Sequence, residues 1–93
     1  MSMPDHAAME RYLGRCTGLV VRLQGMLPAT DLDHAQHLID HGEAPEGMLA
    51  LAWSIVRHEA RVPAEVLNDI RELAADLVPE DAFPPSLDDF ASA

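Results

Sequence analysis

The sequence contains no lysine, and its six arginines face 16 Asp and Glu, for a formal net charge of −10. Nucleic acid and anionic membrane surfaces are bound through clustered cations, so this balance argues against both as primary ligands. The single cysteine, Cys16, cannot make an internal disulfide and sits at an apolar helical position, where it reads as a small buried hydrophobe. Aromatics are scarce at 4% (Tyr12, Trp53, Phe83, Phe90), and the abundance of Leu, Ala and Val favours helices over a sandwich or barrel. The longest apolar run, Met48 to Trp53, is far below the ~20 residues of a membrane span. The first 15 residues carry neither a basic nor an apolar leader pattern, which predicts no export and a cytoplasmic location. What remains, 93 residues of which 48% are hydrophobic, is enough for one small domain with one core.

Apolar residues recur at helical spacing from Met9 through Tyr12, Leu13, Cys16, Leu19, Val20, Leu23 and Leu27, which predicts a first helix over residues 6–26 behind an N-cap at Asp5. Thr30 with Asp33 resembles a capping box and opens a second helix carrying Leu32, Ala35, Leu38 and Ile39, with Gly42 as its C′ residue. The segment 42–47, with two glycines and Pro45, reads as a turn into a third helix starting near Glu46. Between Met48 and Val56 only Ala50 and Ser54 leave the apolar arc, which predicts a central helix anchored by Trp53. A fourth helix enters at Pro63, turns Val66, Leu67, Ile70, Leu73, Ala74 and Leu77 inward, and ends at Pro79. The expectation is an all-α fold, a compact antiparallel bundle of four helices over residues 1–78. Residues 79–93, with three prolines and four acids, read as an irregular acidic tail. Phe83, Leu87 and Phe90 suit docking of that tail, with Ser86 capping a last helical turn. No strand alternation and no repeat is visible.

The charge is segregated. Residues 1–30 hold three Arg and two acids, whereas residues 31–93 hold three Arg and 14 acids, a net of −11. On the fourth predicted helix Glu65, Asp69, Glu72 and Asp76 fall within an arc of roughly 60° and form a single-sign ridge. Such a ridge either keeps a small domain soluble or docks an electropositive partner. On the first helix Arg11, Arg15 and Arg22 share a narrow arc beside Gly14, Gly18 and Gly25. The arginines have two possible counterparts, acids of the same chain or the ridge of a second copy in a homodimer. The glycines mark either a tolerant solvent face or a close backbone approach.

Few constellations carry chemistry. His34, His37 and His41 share one face of the second helix with Asp33 and Asp40 alongside, and read either as solvent-facing histidines or as a weak zinc pattern. No GxSxG elbow, Gly-rich phosphate loop, CxxC or HExxH is present, and Asp88 with Asp89 lies in the tail, so the reading is non-enzymatic with no cofactor and no metal.

The stretch from Leu38, LIDHGEAPEGMLALAWSIV followed by VPAEVLNDIRELAADL, resembles the small acidic bacterial immunity proteins of the MafI-like type. The resemblance rests on Leu38, Ile39, Gly42, Glu43 and the helical pattern up to about Val78. It departs in a longer turn (Ala44, Pro45, Glu46, Gly47), in Trp53 and in the acidic-aromatic tail. It implies an all-α protein that neutralises a polymorphic or contact-dependent toxin, and Glu43 matches the family's Glu, as a helix cap or a toxin contact. Asp40, Glu43, Glu46, Glu65, Asp69, Glu72 and Asp76 are accordingly the expected partner-binding residues. The alternative is a small acidic adaptor, either monomeric or homodimeric through the Arg11, Arg15, Arg22 face, acting on a basic protein.

Overall fold

Four amphipathic stretches in a chain this short must share one core, and helix 3 supplies its centre. The computed structural model describes residues 4–92, and the side chains of residues 6–92. It is mostly helical, with α1 (Pro4–Arg22), α2 (Ala29–Asp40), α3 (Ala44–Arg57) and α4 (Ala64–Ala74). Asp5 lies inside α1 rather than capping it. α1 ends four residues before the expected position because Gly25, at φ 85°, turns the chain before Pro28. Leu23 and Leu27 stay buried all the same.

α2 begins at Ala29 behind Pro28, with no side-chain cap hydrogen bond, so the Thr30–Asp33 capping box is not formed. A proline at that boundary presets the entry angle, and α2 absorbs Thr30 into its first turn. Its C-terminus follows the expected pattern. Gly42 takes φ 81°, its N–H donates to the Ile39 carbonyl (3.4 Å), and the Glu43 N–H donates to the Leu38 carbonyl at 2.8 Å. These two bonds form a Schellman closure that needs a left-handed residue at position 42.

α3 lies between α2 and α4 with Met48, Leu51, Ala52 and Ile55 wholly buried. Two expectations for it are corrected. Trp53 is 44% exposed and is held at the edge by an indole N–H bond to the Ala82 carbonyl (3.0 Å), whereas Ser54, read as polar surface, is 1% exposed. Apolar periodicity alone favours an inward place for the largest side chain. Here the inward arc is set by the small residues Ala44 and Gly47, which let α2 come close. A Cβ built on Gly47 would stand 2.9 Å from the Ala35 carbonyl oxygen and 3.2 Å from Ile39.

α4 ends at Ala74, short of the expected Pro79. Asp76 takes φ 75° and Leu77, expected inward, is 73% exposed. Residues beyond Pro79 fold onto the core. A 3₁₀ turn over Glu80–Ala82 leads to buried Phe83, and a second over Leu87–Phe90 buries Leu87 against α3 and α4. Ser86 precedes this turn but makes no side-chain cap bond. Ala91 and Ser92 (β2) then pair in parallel with Val62 and Pro63 (β1), two-residue strands too short to show alternation in sequence. The Arg71 guanidinium holds Asp88 at 2.6 Å and Glu80 at 3.6 Å, and Arg61 donates to the Asp89 carbonyl and lies 5.7 Å from the Phe90 ring centre.

Two stability predictions arise. Gly47→Ala should lower the unfolding free energy by about 1–3 kcal/mol through overpacking, while Gly14→Ala and Gly18→Ala, whose Cβ positions meet nothing within 4 Å, should each raise it by about 0.5–1 kcal/mol. Urea unfolding of the three variants checks the contrast. Leu87→Ala should cost about 2–5 kcal/mol, as for an interior leucine; a cost near zero would mean that residues 79–92 do not belong to the core.

Candidate functional site

The acids of α4 do not stand alone. Arg15 Nη2 lies 2.9 Å from Glu72 Oε1 and 3.8 Å from Asp69 Oδ1, and Arg22 Nη2 lies 3.0 Å from Glu65 Oε2. The partners ascend α1 by seven residues while they descend α4 by seven, a matched two-turn step on each helix. Glu72 holds the Arg15 guanidinium above its ordinary pKa. Near the end of the same seam the Tyr12 hydroxyl donates to the Leu73 carbonyl at 2.7 Å, taking up one of the carbonyls that a helix end leaves unpaired. Burial, then neighbouring Cys16, pushes the Tyr12 phenol up to about 12, and burial raises the Cys16 thiol as well. The expected single-sign ridge is thus corrected to a mixed-sign seam. Asp76, its fourth member, is not on the helix. Of the two counterparts considered for Arg15 and Arg22, the acids of the same chain are the ones in contact.

The three remaining expected residues lie at the α2–α3 corner. Asp40 ends α2, Glu43 occupies the N-cap position of α3, and Glu46 lies in its first turn, all exposed. Glu43 stands at the N-cap position of α3, where its charge suits the helix dipole, and its side chain makes no cap hydrogen bond. Asp40 accepts a hydrogen bond from Gln36 Nε2 (2.9 Å), which also reaches Thr17 on α1 (3.2 Å). No ion pair engages Asp40, Glu43 or Glu46 among the described residues.

Asp40 also borders a cavity of about 470 Å³ whose walls are otherwise apolar, with Met9, Tyr12 and Leu13 from α1, Ile39 and Ala44 from the α2–α3 corner, and Leu77. Glu43 sits between Gly42 and Ala44, which line it, and Asp76 directly precedes Leu77. Glu46 instead borders a shallower hollow of about 300 Å³ with Leu38, Leu49 and Trp53. Sequence periodicity missed Met9 and Leu77 as surface residues, since it placed both on inward faces. The only sequence signal for Leu77 is its proximity to Pro79, which shortens the helix ahead of it.

Two polar clusters have other roles. The His37 and His41 rings are 4.0 Å apart, and His41 Nδ1 donates to the His37 carbonyl at 2.8 Å. Among the described residues no group of three His, Cys, Asp or Glu is gathered as a metal site. The second cluster was not anticipated. Asp31 Oδ2 accepts from Ser54 (2.6 Å), Arg57 (2.9 Å) and His58 Nε2 (3.2 Å), pinning the start of α2 to the end of α3. Every bond converges on the carboxylate, so His58 does not stand between Ser54 and Asp31, and Ser54 is closed to substrate; the cluster fastens two helices rather than activating a nucleophile.

The Ser54 hydrogen bond, supported by Arg57 and opposed by burial, holds the Asp31 carboxyl below the usual carboxylate range. A group whose pKa is depressed on folding stabilises above its unfolded value near 3.9 and loses that contribution as pH falls through the folded value. Melting temperature should therefore fall on acidification below about pH 4, and Asp31→Asn should show a shallower fall than the parent protein. Compared with known proteins, the chain matches no family model, no curated protein sequence and no solved structure.

Proposed function

We propose that the chain is a cytosolic immunity protein that binds a cognate toxin with a basic contact surface and blocks it without catalysis. The observation that carries this reading is the set of acids Asp40, Glu43 and Glu46 at the α2–α3 corner, without an ion pair among the described residues, in a chain where Arg15 and Arg22 of α1 are occupied by α4. Toxin domains that act on nucleic acid are themselves cationic, and an acidic inhibitor is steered to such a surface. The resemblance of residues 38–78 to MafI-like immunity proteins supports the same conclusion and centres on the same corner, at Gly42 and Glu43. In this reading the helices form an antiparallel bundle, in keeping with the opposed steps of the α1–α4 seam. The paired acids Glu65, Asp69 and Glu72 contribute to the field around the molecule, and the corner makes the contact.

The test begins with the gene's neighbour. Co-expression with the variable C-terminal domain of an adjacent secreted toxin should relieve its growth arrest. In the purified pair, Asp40→Lys with Glu43→Lys should slow association by about tenfold or more at low salt. Glu65→Lys with Glu72→Lys should slow it less and lower the melting temperature, because those acids also hold α1. Association that ignores both salt and the Asp40, Glu43 reversal would refute the acidic contact surface.

A further inference from the structure

The α2–α3 corner carries more than charge. Met9 and Leu77 are 53% and 73% exposed on the cavity of about 470 Å³ that Asp40 borders. Exposed apolar side chains scattered singly are ordinary, but here two of the five large exposed hydrophobics of the described residues flank one depression. α4 ends at Ala74, and a turn through extended Ala75 (ψ 148°) and Asp76 (φ 75°) returns Val78 to the core while leaving Leu77 outside it.

We propose that this cavity receives one bulky apolar side chain of a basic protein partner, flanked in that partner by Arg or Lys that meet Asp40, Glu43 and Asp76. The proposal rests on the reading of the chain as a binder of a basic protein, and adds the anchor and its pocket. Two observations choose this occupant. First, the border is net anionic: Asp40 lines the cavity and Glu10, Glu43 and Asp76 adjoin lining residues, against the one cation Arg11 beside Tyr12, and Asp40, Glu43 and Asp76 make no ion pair among the described residues. Charge complementarity therefore selects cationic flanks and disfavours acidic lipids and acidic peptides. Second, Met9 and Leu77 form the walls while largely exposed. A small molecule inside would leave their outer faces wet, whereas a protein surface seated over the opening covers both. An apolar anchor in a desolvated pocket ringed by polar contacts is the usual arrangement of an interface hot spot.

The experiment selects a randomised peptide library, displayed on phage, against the immobilised full-length protein. The enriched peptides should share a Leu, Ile, Phe, Met or Trp with Arg or Lys within a few residues. Synthetic copies should bind Leu77→Asp and Met9→Asp roughly tenfold or more weakly, as expected when an anchor pocket is blocked. Asp40→Asn with Glu43→Gln should weaken them too, with a reduced salt dependence. Leu77 and Met9 are exposed, so both Asp variants should keep the parent melting temperature; Leu77→Ala, a milder change, should give a smaller loss of binding in the same direction. Cationic peptides that bind equally with the anchor replaced by alanine would overturn the pocket and leave the acidic reading standing. Enrichment of apolar peptides without cations, or no enrichment at all, would overturn both. Sedimentation showing a dimer that Leu77→Asp dissociates would assign the pocket to a second copy and overturn the proposal as well.

Discussion

A 14-residue helix whose Met48, Leu51, Ala52 and Ile55 have no exposure cannot be covered by a single neighbour. Burial of α3 is the constraint from which the rest of the arrangement follows. α2 covers one side, and it comes close enough only because Gly47 has no side chain to hold it away from the Ala35 carbonyl. α4 covers another side with Val66, Leu67, Ile70 and Leu73. What remains open is closed by Phe83 and Leu87 from the last residues of the chain, tethered through Arg61 and Arg71. A core this small has little surplus, so a segment that supplies two of its side chains is part of the domain.

The distribution of charge follows from the same packing. Because α1 lies beside α4, two of its three arginines, Arg15 and Arg22, meet the acids of that helix and convert a repulsive row into an alternating one. Arg57 is drawn to Asp31, and Arg61 and Arg71 are taken up by the C-terminal turns. With five of the six arginines so engaged, unbalanced negative charge is left at the α2–α3 corner. The corner is also where α1 and the residues after α4 leave an apolar depression uncovered. Charge and apolar surface thus coincide there, a consequence of where five of the six arginines are spent.

Much of the helical content was legible in the sequence. Gly42 marked the end of α2, because only a residue free of the Cβ penalty closes that Schellman turn cheaply, and the apolar spacing of α1, α2 and α4 identified nearly all of their buried residues. The errors fall where local rules compete. Pro28 displaced the Thr30–Asp33 capping box, Gly25 shortened α1, and the turn through Ala75 and Asp76 ended α4 before Leu77 could turn inward. Trp53 and Ser54 exchanged their expected places because close packing of α2 on α3 favours small inward residues, and because Asp31 offers Ser54 a partner that satisfies a buried hydroxyl.

The candidate site divides in the same way. Acidity, the absence of lysine, the weighting of charge beyond residue 30 and the turn at Gly42 and Glu43 are properties of the linear chain, since composition and local backbone preference need no tertiary contact. Which acids are neutralised is not such a property. Arg15 and Glu72 are 57 residues apart, and only the packing of α1 on α4 brings them to 2.9 Å. The same packing separates Glu65, Asp69 and Glu72, which are held within the fold, from Asp40, Glu43 and Glu46, which are not. Helical periodicity assigns a residue to a face, but whether that face meets solvent, a carboxylate or another helix depends on contacts distant in sequence.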